Sequence, residues 1–223
     1  MEFVGQKDQD RWIIEEVFPG RREGIFLDLA ATDGVSHNNT VLLERALGWR
    51  GLCVEPNPGY YPHLTRNRSC ATFDACVDET AGEVDFLPNE GLGGIIADDT
   101  DNTPLIRAQL LAESYAAGKV LRLPTTTLEA LLDHYSLPAV IDYFSLDVEG
   151  AETRILRSFP FHRYRFMAMT IERPTPELNA RLLANGYVFV KNLNFDSFYV
   201  HESLPALPHF SLQPFEQVPP KDW

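Results

Sequence analysis

An α/β fold with a doubly wound, mostly parallel, Rossmann-like sheet is what this sequence predicts, on three observations. Short apolar runs alternate with amphipathic segments along most of the chain. The first run, Ile25 to Leu29, closes into a small-residue turn, Ala30-Ala31-Thr32-Asp33-Gly34, ahead of a helix start. Acids stand at the ends of successive runs: Asp28, Glu55, Asp74 and Asp147, with Glu172 following Phe166 to Ile171. In a parallel sheet those ends share one rim, and ligands bind there.

Taken in order, residues 8–19 read as a helix with an irregular apolar face (Trp12, Ile13, Val17, Phe18), ended by Pro19-Gly20. The first strand and its turn follow. A helix over about 38–47 has Asn or Thr caps and stops at Gly48. Gly51 to Glu55 is the second strand, stopped by Pro56-Asn57-Pro58. A helix over about 60–67 precedes a third strand, Ala71 to Val77, and Glu83 to Leu87 reads as an antiparallel or edge strand. Residues 88–118 are the least regular part, with Gly91-Leu92-Gly93-Gly94 and the acids Asp98, Asp99 and Asp101 in loop, then a helix over 105–117. An insert this long suits a lid or binding loop. Val120 to Pro124 is a strand, and Thr126 or Thr127 caps the helix after it. Ile141 to Asp147 is a strand leading into a helix through Phe159. Phe166 to Ile171 is another strand, and Pro176 to Asn185 a helix closed by Gly186. Tyr187 to Lys191 and Ser197 to His201 form an antiparallel closing pair at one sheet edge, and the proline-rich tail, 204–223, is irregular.

With 223 residues and 44% hydrophobic content, the chain is expected to be one domain, its core spanning about 25–200. A net charge of −13 argues against a nucleic-acid binder, which presents a basic face. Arg21-Arg22 and the arginines between 154 and 165 read as solvated surface. Three cysteines without a CxxC pair fit reduced thiols in a cytoplasmic protein better than a disulfide scaffold or zinc site. The amino terminus has no hydrophobic signal region, and no apolar run approaches the roughly 20 residues of a membrane span. The oligomeric state is not legible.

The rim carries the chemistry. Glu55 lies 21 residues after Gly34, where an acid can accept both ribose hydroxyls of an adenosine ligand. One acid alone would read as a turn or helix cap; several at successive strand ends favour a nucleoside site. The turn has one glycine, and carboxylates repel a pyrophosphate. A cationic ligand fits better: S-adenosylmethionine has a sulfonium, an ammonium and two ribose hydroxyls.

The segments Asp-Leu-Ala-Ala-Thr-Asp-Gly (28–34), Asn-Asn-Thr (38–40), Leu-Glu-Arg-Ala-Leu-Gly-Trp-Arg-Gly-Leu-Cys-Val-Glu-Pro-Asn-Pro (43–58), Asn-Arg (67–68) and Ser-Leu-Asp-Val-Glu-Gly-Ala-Glu (145–152) resemble the FkbM family of S-adenosylmethionine-dependent methyltransferases. The resemblance covers about 25–200 and implies O-methylation of a small-molecule, sugar-containing hydroxyl acceptor. Ala30 stands where that family usually has Gly, and its methyl crowds the ligand's methionine part. The resemblance implies that Asp28, Asp33 and Gly34 line the methionine end, Glu55 binds the ribose, and Asp74 with Ala75 borders the adenine; Ala30, Asn39 and Asp147 are further cofactor-binding candidates. Asp147 faces the transferred methyl. Methyl transfer needs in-line placement of the acceptor oxygen and a base for its proton. The candidates are Asp147, Glu149, His37 and Glu172. Glu149 and Glu152 are equally readable as caps of the helix that follows. Asp147, Glu149 and Glu172 also offer oxygens for magnesium, but no diagnostic spacing, so the metal is the lesser expectation and no ligand set is assigned. Two other readings stand beside the methyltransferase: a nicotinamide-dependent oxidoreductase, and a non-catalytic binding protein that keeps the fold.

Overall fold

The computed structural model describes residues 2–89 and 91–219. Among the described residues, eleven strands form two sheets. The larger contains β1 (Ile25–Leu29), β2 (Arg50–Val54), β3 (Ala71–Phe73), β8 (Val140–Leu146), β9 (Arg165–Glu172), β10 (Tyr187–Leu193) and β11 (Asp196–His201), in the order β10-β11-β9-β8-β1-β2-β3. The pairs from β9 through β8, β1 and β2 to β3 are parallel; β11 runs antiparallel to both β9 and β10. The sheet is therefore mixed, and the expected closing pair sits at its edge.

Alternation along the strands splits the core in two. Leu27, Leu29, Phe144 and Leu146 pack with Leu131, Leu132, Ile155, Leu156, Leu178 and Leu182. Those partners come from α5 (Leu128–His134), α6 (Glu152–Arg157) and α7 (Pro176–Ala184). Phe26, Cys53 and Tyr143 face the other way, onto Leu43 of α2 (Val41–Leu47) and Leu64 of α3 (Tyr61–Asn67). Trp12, Ile13 and Val17 join that second core. They lie where the short α1 (Gln9–Arg11) runs on as a π-helical segment, Trp12–Val17, closed by Phe18 N–H donating to Ile13 O at 2.9 Å. An extra residue per turn keeps both Trp12 and Val17 inward, which explains the irregular apolar spacing.

The second sheet was not foreseen. The expected third strand, 71–77, breaks after Phe73, and its last part becomes β4 (Cys76–Val77) of a four-stranded sheet ordered β4-β7-β5-β6. Here β7 is Leu121–Thr126, β5 Gly82–Leu87 and β6 Gly94–Ile95. The segment 83–87 is accordingly not an edge: β5 lies between β7 and β6, antiparallel to both. The periodicity of 71–77 is continuous, so only pairing partners, invisible in sequence, reveal the break. The insert is more regular than expected, with β6 and then α4 (Pro104–Ala116) capped by Thr103, whose side chain accepts from Leu105 N–H. Thr127 caps α5 and Thr175 caps α7 in the same manner. The expected basic patches are largely paired: Arg21 meets Asp142, Arg154 meets Asp78 and Asp99, and Arg157 meets Glu79. Among the described residues no helix is long and apolar enough to cross a membrane.

Candidate active site

A cleft opens at the carboxyl ends of β1, β2 and β8. It has two adjoining lobes that share Leu29, Ala30, Thr32, Tyr60, Gly91 and Asp147. The first, about 730 Å³ with part open to solvent, is walled by Val54, Ala75, Cys76, Val77, Phe86 and Ile95, with Glu55 and Asn57 as polar groups. An apolar wall with a few polar groups suits a small-molecule site. The second lobe is polar: Asp28, Asp33, His37, Asn38, Asn39 and Ser145.

The turn after β1 is built from left-handed backbone. Ala30 has φ +66°, Thr32 +50°, Gly34 +79° and His37 +53°. A β-branched residue in that region is a genuine outlier, and such strain concentrates at functional sites. The surroundings hold the turn in place. Ala30 and Ala31 N–H both donate to Val54 O, at 2.9 and 3.0 Å. Thr32 N–H donates to Glu55 Oε2 at 2.8 Å, and Asn57 N–H to Glu55 Oε1 at 2.8 Å. Glu55 is thus a brace as well as a rim acid. Burial pushes its carboxyl up to about 7, against the lowering effect of those two donors. At Gly34 a Cβ would stand 2.7 Å from both Arg68 Cγ and Leu64 Cδ1, so only glycine fits. Asp33 closes the turn by accepting from Val35 N–H, Ser36 N–H and the Ser36 hydroxyl, with its carboxyl held low by these bonds despite some burial.

Asp28 is buried and accepts from Thr40 Oγ1 at 2.7 Å and Asn38 Nδ2 at 2.9 Å. Burial raises its carboxyl, opposed by the Arg68 guanidinium and these hydrogen bonds. Arg68 completes the group, donating to Asn38 Oδ1 at 2.9 Å and Thr40 Oγ1 at 3.0 Å. Of the Asn and Thr caps expected for α2, Asn38 serves, accepting from Val41 N–H, while the Thr40 hydroxyl is committed to Asp28. Asn39 Nδ2 donates to Ser145 Oγ at 3.0 Å, while its Oδ1 is buried without a protein partner. Ala75 lines the first lobe; Asp74 is exposed and lines neither lobe, because the chain leaves β3 at Phe73 and turns inward one residue later. His37 is exposed at the mouth of the second lobe.

Asp147 lines both lobes. Burial and the like charge of Glu149 raise its carboxyl, and a hydrogen bond with Glu172 opposes this. Behind it, carboxylate oxygens of Asp147, Glu152 and Glu172 lie within 4.8 Å of one another, as do those of Asp101, Glu149 and Glu172. Either group has the oxygens for a hard divalent ion. Arg173 enters the second: it pairs with Asp101, lies 2.9 Å from Glu172 Oε2 and 3.9 Å from Glu149 Oε2. α6 has no side-chain cap bond at its N-cap, Ala151; Glu152 instead braces the loop ahead of the helix, accepting from Val148 N–H at 2.9 Å. Glu149, at φ +57°, lines the cleft and accepts Asp101 N–H on its backbone oxygen at 3.0 Å.

Several contributors escape sequence reasoning. Phe86 and Ile95 arrive from the second sheet, and Arg68 and Arg173 matter through partners distant in sequence. Asn57 had a signal: in Pro-Asn-Pro-Gly it makes an Asx turn, accepting Gly59 N–H at 2.9 Å.

In an α/β sheet, a rim of acids beside a strained turn after β1 stands where this fold class binds ligands. The sequence matches the methyltransferase FkbM domain over residues 28–196, so the chain belongs to the FkbM methyltransferase family. No curated protein matches it. Among solved structures, a METTL16 MTase domain is similar in outline at 10% identity and a TM-score of 0.43, covering 85% of this chain. This chain spans 64% of that one.

Proposed function

We propose that the protein is an S-adenosylmethionine-dependent O-methyltransferase acting on a small-molecule hydroxyl acceptor, a sugar-containing one by the family resemblance. The observation that carries this reading is the two-lobed cleft, with Glu55 in the apolar lobe and Asp147 at the junction. The residues fit the cofactor by charge and shape. The apolar wall suits adenine, and the Glu55 oxygens keep lone pairs for ribose hydroxyls beyond the two backbone donors. Asn39 Oδ1, buried without a partner, and the Asp147 carboxylate supply acceptors for an ammonium. The cofactor supplies an electrophilic methyl on a sulfonium. The chain's task is then to orient the hydroxyl and take its proton. Asp147, raised toward neutrality and held at the end of β8, is suited to that as base. Glu172 bears on it through their hydrogen bond, and Glu149 through its charge. His37 at the mouth is the other candidate. The three free thiols fit a reducing compartment such as the cytoplasm.

Thermal unfolding tests the cofactor class. S-adenosylhomocysteine raises the melting temperature more than NAD at equal concentration, since only a ligand that binds the native state stabilises it. A larger shift with NAD would favour the oxidoreductase reading.

A further inference from the structure

Cys53 and Cys70 line neither lobe of the cleft, yet their sulfurs face each other at 3.6 Å. Cys53 is fully buried in β2; Cys70 is half-buried and immediately precedes β3. The β2–β3 register pairs Leu52 with Ala71 and Cys53 with Thr72, so the two cysteines are offset along the strands with their side chains converging. A disulfide needs a sulfur separation of about 2.05 Å, a closure of about 1.6 Å from here. Cys70 lies in a bend outside the ladder, where its N–H and that of Ser69 donate to Glu44 Oε1 at 3.2 and 2.7 Å, so closure draws on those bonds while β2 stays in place. Arg68, two residues away, places a guanidinium near both sulfurs. Burial pushes the Cys53 thiol well up, and the half-buried Cys70 is the one an oxidant reaches. The third cysteine, Cys76, is buried in the other sheet.

We propose that Cys53 and Cys70 form a peroxide-sensitive dithiol whose closure loosens the cofactor turn. The Cys70 thiolate attacks one oxygen of hydrogen peroxide. The O–O bond breaks, and the departing hydroxide takes a proton to become water. This leaves Cys70 as a sulfenic acid. Cys53 then gives up its proton and its sulfur attacks the Cys70 sulfur; the S–O bond breaks and a second water leaves. Two thiols are oxidised to one disulfide and one peroxide is reduced to two waters. The coupling runs through Arg68, whose bonds to Asn38 and Thr40 support the two side chains that hold Asp28. Drawing Cys70 toward Cys53 displaces Arg68 from that group. This last step rests on the cofactor reading above; the dithiol chemistry does not.

The test treats the full chain with hydrogen peroxide, then alkylates it in denaturant and counts thiols by mass spectrometry. The expected result is one alkylated cysteine, Cys76, with a crosslinked Cys53–Cys70 peptide that dithiothreitol releases; Cys70→Ser gives no crosslink. Three alkylated thiols, or an over-oxidised Cys70 beside an alkylated Cys53, would overturn the pair. S-adenosylhomocysteine is then titrated into reduced and oxidised protein. Affinity falls on oxidation, recovers with dithiothreitol, and is unaffected by peroxide in Cys70→Ser. Equal affinity in both redox states would overturn the coupling. Absence of binding even to the reduced protein would count against the cofactor reading, with the crosslink result standing apart.

Discussion

Ala30 shows how one backbone angle decides the meaning of a substitution. The family resemblance implies glycine at this position, with the methyl of alanine crowding a ligand. The structure puts the same residue at φ +66°, where any Cβ costs about 1–2 kcal/mol. Glycine there relieves backbone strain first and makes room second. Ala30→Gly therefore stabilises the protein by about 0.5–1 kcal/mol after the added freedom of the unfolded chain is subtracted. Denaturant unfolding reads this directly, and a lowered midpoint would contradict it. Other rim residues were legible in part. Gly34 and Asp33 could be read as turn chemistry, and Glu55 as an acid at a useful spacing. Its second task, bracing Thr32 and Asn57, could not, because it depends on where two backbone N–H groups end up.

Among the elements, the alternation of apolar runs and amphipathic helices made the main strands readable, since each needs only local periodicity. The second sheet was not readable. β4 continues the apolar run of β3, and β6 is two residues long, so their pairing partners alone define them. The insert reads as a lid or binding loop, and its first half is anchored and lines the cleft. Asp101 pairs with Arg173 and donates its N–H to Glu149 O, while α4 beyond it exposes Leu105 and Ile106. Backbone amides of α4 are therefore expected to exchange faster than those of 94–101 in the ligand-free protein. Equal rates would argue that the insert moves as one piece. Arg173 is the fastening point. Arg173→Ala leaves Asp101, Glu149 and Glu172 facing one another without its guanidinium, and costs about 3–5 kcal/mol, the range for breaking a buried pair. An unfolding midpoint within error of wild type would show that the anchor lies elsewhere.

For the whole molecule, the dominant electrostatic fact is an excess of acid concentrated at one rim. Burial raises the carboxyls of Glu55 and Asp196 to about 7 and that of Glu152 to about 8; Asp147 shifts the same way. The native state then holds protons that the unfolded chain has already released. Stability from these groups is fully present below their unfolded values and is lost as pH rises through about 7 to 8. The ligand-free protein should melt at a higher temperature near pH 6 than near pH 8.5, in the direction expected from a net charge of −13 as well. A profile that rises across that interval would mean that the rim acids are ionised and compensated. Such compensation is what a cationic cofactor would provide, so S-adenosylmethionine should narrow the difference between the two pH values. The central claim is that the apolar lobe holds the nucleoside through Glu55. Calorimetric titration of S-adenosylhomocysteine into wild type and Glu55→Ala, with the variant first shown folded by circular dichroism, tests it most directly. Binding in the variant should be weaker by roughly 1.5–3 kcal/mol, the range for hydrogen bonds to a charged group; unchanged affinity in the folded variant would contradict a nucleoside held through Glu55.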